Sequence, residues 1–440
     1  MLEKIEKLLE KRDILLTGGG GVGKSYLCEK LAKKAKAESK QVVVLGSTGV
    51  SAVNVNGQTI HSFFAFGICS SLQELSKHDK YVKNRLGEIK KILSRCDLLI
   101  IDEISMVSSS LLDMIQYRLR NAGFKGRILF VGDFFQLPPV FSKKNTSVLD
   151  DNGYAFQSSA WEFFNPLIVE LTITKRTKDR DFFKILNKIR WANVDKEVID
   201  YLGKLRKNSS LLESDATVLF ARNAEADRMN LKKLQELKGE PVLLKAKEKL
   251  HVKSLHVKKI ESWKKSLPIP CDLTLKIGAK VLFCTNKWQK YYNGERGVVR
   301  EIGDDYVLVE KDNSLVKVDR MEYTMSENII LNGDIEEKPL VSIEQFPLKL
   351  AYAITIHKSQ GMSIEELICN IDNIFEKSQF YVAISRAKNP KKLYLDLSYG
   401  DFGRWVVRIT KVSQSVIDFY KNYEILRIEE EDEKENLLYL

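Results

Sequence analysis

Residues 14–36 read ILLTGGGGVGKSYLCEKLAKKAK. An apolar run closes in glycines, and the glycines open into a mixture of apolar and basic residues at helical spacing. Gly18–Ser25, GGGGVGKS, satisfies the pattern G-x4-G-K-[ST] in the strand–loop–helix setting that the pattern requires. Glycines let successive backbone N–H groups turn toward one anion. Gly19, Gly21, Val22 and Gly23 would line that cradle, followed by Lys24, Ser25 and Tyr26 at the helix start. Lys24 suits the β- and γ-phosphates, and the Ser25 hydroxyl suits a Mg²⁺ ion. The stretch predicts an α/β fold whose chemistry sits at the C-terminal ends of parallel strands.

The same rhythm continues outward. KQVVVLGSTGVSA (40–52), CDLLIIDEISMVS (96–108) and GRILFVGDFFQLPPV (126–140) are apolar strands that close in small residues or acids. Asp102 at a strand end suits a Mg²⁺ ligand, and Glu103 beside it suits the base that orients an attacking water. Gln136 is placed to bond the γ-phosphate or that water. Together these predict nucleoside triphosphate hydrolysis. Phe134 and Phe135 stand at a turn, and at least one is expected to face a ligand. Pro138 and Pro139 stop that turn.

A second rhythm begins with PLIVELTITKRT (166–177) and DATVLFARNAEADRMN (215–230). From 239 to 345 the texture becomes short alternating strands split by YNGERG, GDD and DNS turns, which predicts a small antiparallel barrel. FPLKLAYAITIHKSQG (346–361) then resumes the α/β pattern. P-loop catalysis commonly needs a cation on the transferring phosphoryl group, worth roughly 10³–10⁵ in rate. Arg386 in FYVAISRAK and Arg176 in LTITKRTKD are the candidates. If both reach one nucleotide, binding closes a cleft and hydrolysis opens it, which is a motor cycle. Thr355, His357, Lys358 and Ser359 end a strand in polar groups suited to a phosphate backbone, while Gln360 and Gly361 are expected to turn toward the nucleotide.

The 440-residue chain is too long for one ordinary core. It is 44% hydrophobic and 29% charged, a soluble globular balance. No apolar run of about eighteen residues is present, so no membrane span is expected. The six cysteines form no CxxC pair, which indicates neither a zinc site nor a disulfide framework. An intracellular place, in bacterial cytoplasm or nucleoid, is expected. Lys plus Arg exceed Asp plus Glu by 70 − 59, a formal charge of +11 that favours a polyanionic partner.

Taken together, GGGGVGKS, GSTGVSAVNVNGQTIHSFF (46–64), LLIIDEISMVSSSLLDMI (98–115), ILFVGDFFQLPPV (128–140), KLAYAITIHKSQGMS (349–363) and QFYVAISRAK (379–388) resemble the PIF (petite integration frequency) family of superfamily-one DNA helicases, with looser similarity to RecD-type helicases. The resemblance implies two RecA-like P-loop NTPase domains, a small helical wedge insertion in the first and an SH3-like β-barrel insertion in the second. The expected boundaries are 1–62 and 96–165 for the first domain, 63–95 for the wedge, 166–238 and 346–425 for the second domain, 239–345 for the barrel and 426–440 for an acidic tail. It implies ATP and Mg²⁺ as cofactors and 5′→3′ movement on single-stranded DNA. Duplex, forked, G-quadruplex and RNA–DNA hybrid substrates are implied, with a monomer in solution. Lys24, Ser25, Asp102, Glu103, Gln136, Arg176, Gly361 and Arg386 would serve ATP. Ser47, Thr48, Gly49, His61, Phe63, Phe134, Pro138, Asn223, Thr355, His357 and Lys358 would line the strand path.

Two departures stand out: Thr177 follows Arg176 where the family has Gln, and the first twelve residues contain no Gln to read adenine. Two other readings fit the same residues. One is a RecD- or relaxase-type translocase that unwinds only within a larger complex. The other is a nucleotide-gated DNA-binding module.

Overall fold

The computed structural model describes the chain except residues 56, 68, 140–152, 175, 178, 207–215, 254, 288, 332, 399 and 429–440. Two compact units form. One comprises Met1–Lys175, Met325–Leu340 and Gln414–Leu440, and the other Arg176–Thr324 and Val341–Ser413.

The first unit is built on a seven-stranded, all-parallel sheet. Its order is Ile425–Ile428, Leu167–Leu171, Ile14–Gly18, Arg127–Val131, Leu98–Asp102, Val42–Gly46 and Gln58–Thr59. Strands buried on both faces need unbroken apolar runs, and Ile14, Leu15, Leu16, Leu99, Ile100, Ile101, Leu129, Phe130 and Val131 are all buried. The helix Leu2–Leu9 packs Ile5 and Leu9 into the same core as Leu27 and Leu31 of the helix Lys24–Ala37.

The boundary expected at 165/166 is corrected here. Leu167–Leu171 pairs in parallel with Ile14–Gly18, so this strand belongs to the first sheet rather than the second domain. The C-terminal end also moves. Ile425–Ile428 pairs with Leu167–Leu171, and the preceding helix Gln414–Asn422 inserts Phe419 and Tyr420 among Phe134, Phe135, Phe156 and Trp161. Residues 426–428, expected in the acidic tail, are thus sheet; the rest of that tail lies outside the described residues.

Residues 63–95 contain the helices Leu72–Asp79 and Lys83–Leu93. Arg118 on the helix Ser109–Ala122 holds this segment, donating to both Asp79 carboxylate oxygens at 2.7 and 2.6 Å and to the Phe64 carbonyl at 3.2 Å.

The second unit carries a four-stranded parallel sheet in the order Ala353–Thr355, Thr217–Phe220, Leu367–Asn370, Leu393–Asp396. Its antiparallel part is not one sheet. A five-stranded sheet (Ser314–Asp319, Tyr306–Lys311, Arg296–Ile302, Lys280–Phe283, Leu348–Leu350) surrounds buried Val281, Phe283, Val299, Val307, Val309 and Val318. Asp272–Leu275 pairs separately with Val242–Lys245. In a third sheet Lys247–Leu250 pairs with residues 341–344 at the end of the strand Asp334–Gln345.

Two expected limits of 239–345 shift accordingly. Residues 325–340 belong with the first unit, where Gln41 donates to Asp334 at 3.0 Å and accepts from the Ile335 N–H at 2.6 Å. Leu348–Leu350 pairs with Lys280–Phe283, so the five-stranded sheet extends past residue 345. Among the described residues no helix is long and apolar enough to cross a membrane.

Candidate nucleotide and nucleic-acid sites

In the first unit the strand Ile14–Gly18 ends in glycines held at positive φ: Gly18 at 138°, Gly21 at 86° and Gly23 at 92°. A Cβ on Gly18 would lie 2.4 Å from the Leu171 carbonyl oxygen, so the close strand neighbour as well as the torsion demands glycine. Val22 is buried beneath the loop. Lys24 Nζ bends back to donate to the Gly18 and Gly19 carbonyls at 2.6 and 3.1 Å. Ser25 and Tyr26 are exposed on the first turn, with Lys30 Nζ 4.8 Å from the Tyr26 ring centre.

Asp102 is buried at the end of Leu98–Asp102. Burial chiefly, and then the Glu103 carboxylate, push its pKa up to about 7, against the Glu103 N–H and the Lys24 charge. Glu103 itself holds a left-handed backbone, φ 55°. Two acids crowded beside a lysine, with a serine hydroxyl on the adjoining loop, form a donor set suited to a hard divalent cation. Gln136 is buried, its N–H bonded to the Asp133 carbonyl at 2.8 Å.

Two aromatic expectations fail. Phe134 and Phe135 are both fully buried; Phe134 packs edge-on against Tyr154, Phe156, Trp161 and Phe419, and Phe135 stacks on Tyr420. Phe63 is fully buried too, edge-on to Phe64. Neither Phe63 nor Phe134 presents a ring to a nucleic acid, because each gains more by filling the core. Pro138 is half-buried.

The small-residue turn after Val42–Gly46 is ordered from within. Thr48 N–H donates to Ser51 Oγ at 2.9 Å, and Ser51 N–H donates to Thr48 Oγ1 at 3.1 Å. Among the described residues the buried Ser47 hydroxyl has no partner. Its N–H reaches the Asp102 carbonyl at 3.2 Å, which ties this turn to the acid pair. Gly49 starts the helix Gly49–Asn54, and His61 is exposed on Ile60–Phe63.

In the second unit Arg386 is buried after the helix Gln379–Ile384, donating to the Val382 carbonyl and Ser385 Oγ, both at 2.9 Å. Arg176 donates to Ser363 Oγ at 2.8 Å and the Ser385 carbonyl at 2.6 Å. Burial, and then the Arg386 charge, lower the Arg176 pKa. Thr177, where the family pattern has Gln, accepts the Asp179 N–H at 3.2 Å just before the helix Arg180–Arg190.

The strand Ala353–Thr355 runs into a 3₁₀ turn, His357–Ser359. Thr355 is buried with its hydroxyl facing the Lys358 N–H at 3.4 Å, and Ser359 is buried with its hydroxyl bonded to the Ile356 carbonyl at 2.7 Å. The expectation that the Ser359 hydroxyl meets a phosphate is therefore corrected: it closes the turn. His357 Nε2 lies 3.1 Å from Glu376, Lys358 is exposed, and Gly361 takes φ 79°. Asn223 is exposed on the first turn of Asn223–Glu236.

Sequence reasoning missed Ser363 and Ser385, which hold Arg176, and Tyr420, whose hydroxyl bonds Thr17 Oγ1 at 2.8 Å. Ser385 adjoins Arg386 and was legible by proximity. Nothing local marks Tyr420, 403 positions from its partner.

A glycine phosphate loop, an acid pair at the end of another parallel strand of the same sheet, and a second parallel sheet in a unit that also holds Arg176 and the buried Arg386 define a P-loop NTPase with RecA-like domains. The model of the PIF1-like helicase family matches residues 2–199. The chain is 41% identical over 441 residues to the ATP-dependent DNA helicase Pif1 of Campylobacter jejuni, covering 98% of this chain and 99% of that one. A Bacteroides Pif1 solved in complex with ADP-AlF4 is 28% identical, with TM-score 0.83 and 96% of each chain covered. A Bacteroides Pif1 in complex with ADP-AlF3 and single-stranded DNA is similar at TM-score 0.64, again at 28% identity and 96% coverage of both. The chain belongs to the PIF1-like helicase family.

Proposed function

We propose that this chain is an ATP-dependent DNA helicase that moves 5′→3′ along single-stranded DNA and opens duplex or forked DNA ahead of it. The observation that carries the reading is the phosphate loop with Lys24 beside the buried Asp102 and its neighbour Glu103. Similarity over the whole chain to relatives named as ATP-dependent DNA helicases supports the substrate.

In this reading the loop amides of Gly19, Gly21, Val22 and Gly23, with Lys24, bind the β- and γ-phosphates. Ser25 and Asp102 would hold Mg²⁺, which neutralises phosphate charge when bound. Glu103 accepts the proton of the attacking water, and Gln136 orients that water. Arg176 and Arg386 present positive charge to the γ-phosphate, and Gly361 lies alongside the nucleotide. Lys358, His357, Asn223, Thr355, Ser47, Thr48, Gly49, His61 and Pro138 border the DNA path, where phosphate contacts suit a motor because they carry no sequence information. G-quadruplex and RNA–DNA hybrid substrates, and action as a monomer, belong to the same proposal.

The test is unwinding of a 5′-tailed against a 3′-tailed duplex with ATP and Mg²⁺. Opening of the 5′-tailed substrate alone is expected. Opening of only the 3′-tailed one overturns the polarity, and failure of single-stranded DNA to stimulate ATPase overturns the reading.

A further inference from the structure

Three parallel strands of the second unit, Thr217–Phe220, Ala353–Thr355 and Leu367–Asn370, end on one edge of their sheet. The loops leaving that edge are cross-tied. Asn373 Nδ2 donates to Glu225 Oε1 at 2.6 Å, which joins the third loop to the helix after the first. Glu376 meets His357 at 3.1 Å, which joins it to the second. The N–H groups of Phe375 and Glu376 both donate to Oε1 of the fully buried Gln379, at 3.1 and 3.3 Å. Ile371 and Ile374 anchor the same loop in the core.

On this anchored loop Phe375 is 58% exposed. The guanidinium carbon of exposed Arg222 lies 6.0 Å from its ring centre. A phenyl ring left in water forgoes the free energy of burial. Here its backbone is held by a buried side chain and two cross-links, so the ring cannot relax inward cheaply. The acids nearby are engaged, Glu376 with His357 and Glu225 with Asn373. The Glu225 and Glu376 carboxylates keep their charge on this side of the loop, while the cations are Arg222 beside the ring, exposed Lys377 two residues on and, one loop away, exposed Lys358. An aromatic face flanked by cations is the chemistry that receives an unpaired base while its phosphates meet the charges.

We propose that Phe375, with Arg222 beside it, is a base-stacking platform for single-stranded DNA in the second unit. The inference rests on the helicase reading above and adds to it a contact to a base rather than to a phosphate. Stacking is sequence-tolerant, since every base has a π-face, so the platform grips a strand without reading it.

The test compares binding of the full chain to an oligothymidylate and to an abasic strand of equal length. Phe375→Ala is expected to weaken oligothymidylate binding roughly five- to hundred-fold, to leave abasic binding at the wild-type level and to leave DNA-free ATPase unchanged. Phe375→Trp is expected to retain binding. Wild-type affinity of Phe375→Ala for both strands, as expected if the ring serves a protein partner, overturns the proposal, and so does an equal loss on both. In those cases single-stranded DNA still stimulates wild-type ATPase and the helicase reading stands. If it does not stimulate the wild type, that reading falls and the platform with it.

Discussion

At Gly18 two demands coincide. The backbone sits at φ 138°, and the space where a Cβ would go is filled by the Leu171 carbonyl at 2.4 Å. A left-handed conformation costs a non-glycine residue roughly 1–3 kcal/mol, and here a backbone clash adds to it. Gly18→Ala is expected to lower stability by at least about 2 kcal/mol in a denaturant titration and to abolish ATP binding; an unchanged midpoint contradicts the geometry. Arg176 shows the opposite balance. An arginine stays charged, so burial next to Arg386 is felt as lost stability rather than as lost charge. Arg176→Gln should raise the melting temperature of the nucleotide-free protein by on the order of a few degrees while lowering ATPase. A fall in melting temperature would mean that its bonds to Ser363 and Ser385 outweigh the charge penalty.

Among the elements, the helix Gln414–Asn422 departs furthest from the sequence reading. It comes last among the described helices and packs in the first unit. Tyr420 bonds Thr17 at 2.8 Å and accepts the Phe134 N–H at 3.3 Å, while Phe419 stacks on Phe156 and meets Phe134 and Trp161 edge-on. Phe419→Ala should cost about 3–5 kcal/mol, read as a lower unfolding midpoint of the first unit by a probe placed there; a loss under about 1 kcal/mol would show that the cluster refills. The same helix explains the fate of Phe134. DFFQLPP is legible as a motif, but whether a Phe in it meets ligand or core depends on which rings arrive from elsewhere. The stretch from Lys349 to Thr355 teaches a similar lesson. It reads as one strand, yet Leu348–Leu350 joins an antiparallel sheet and Ala353–Thr355 a parallel one. Both environments accept apolar residues, so hydropathy does not mark the break.

For the whole molecule the formal charge of +11 becomes informative once DNA is the partner. Each phosphate neutralised on a single strand releases counterions, so log K falls with log salt by about 0.7 per contact. If about four phosphates are held, affinity should drop roughly fifty-fold between about 50 and 200 mM salt. A slope shallower than about −1 would point to a path held by stacking instead.

What the sequence by itself determined was the chemistry that neighbours in the chain can make. The phosphate loop, the helix that opens at Lys24, the Asp102–Glu103 strand end and the parallel α/β class all follow from motifs and periodicities within some twenty residues. Only the tertiary structure decided which sheet claimed Leu167–Leu171 and Ile425–Ile428, that Phe63 and Phe134 are core, and that Phe375 stands in solvent beside Arg222. Parallel pairing and aromatic clustering join residues hundreds of positions apart. Their energy depends on complementary surfaces, and no local pattern in the chain records those.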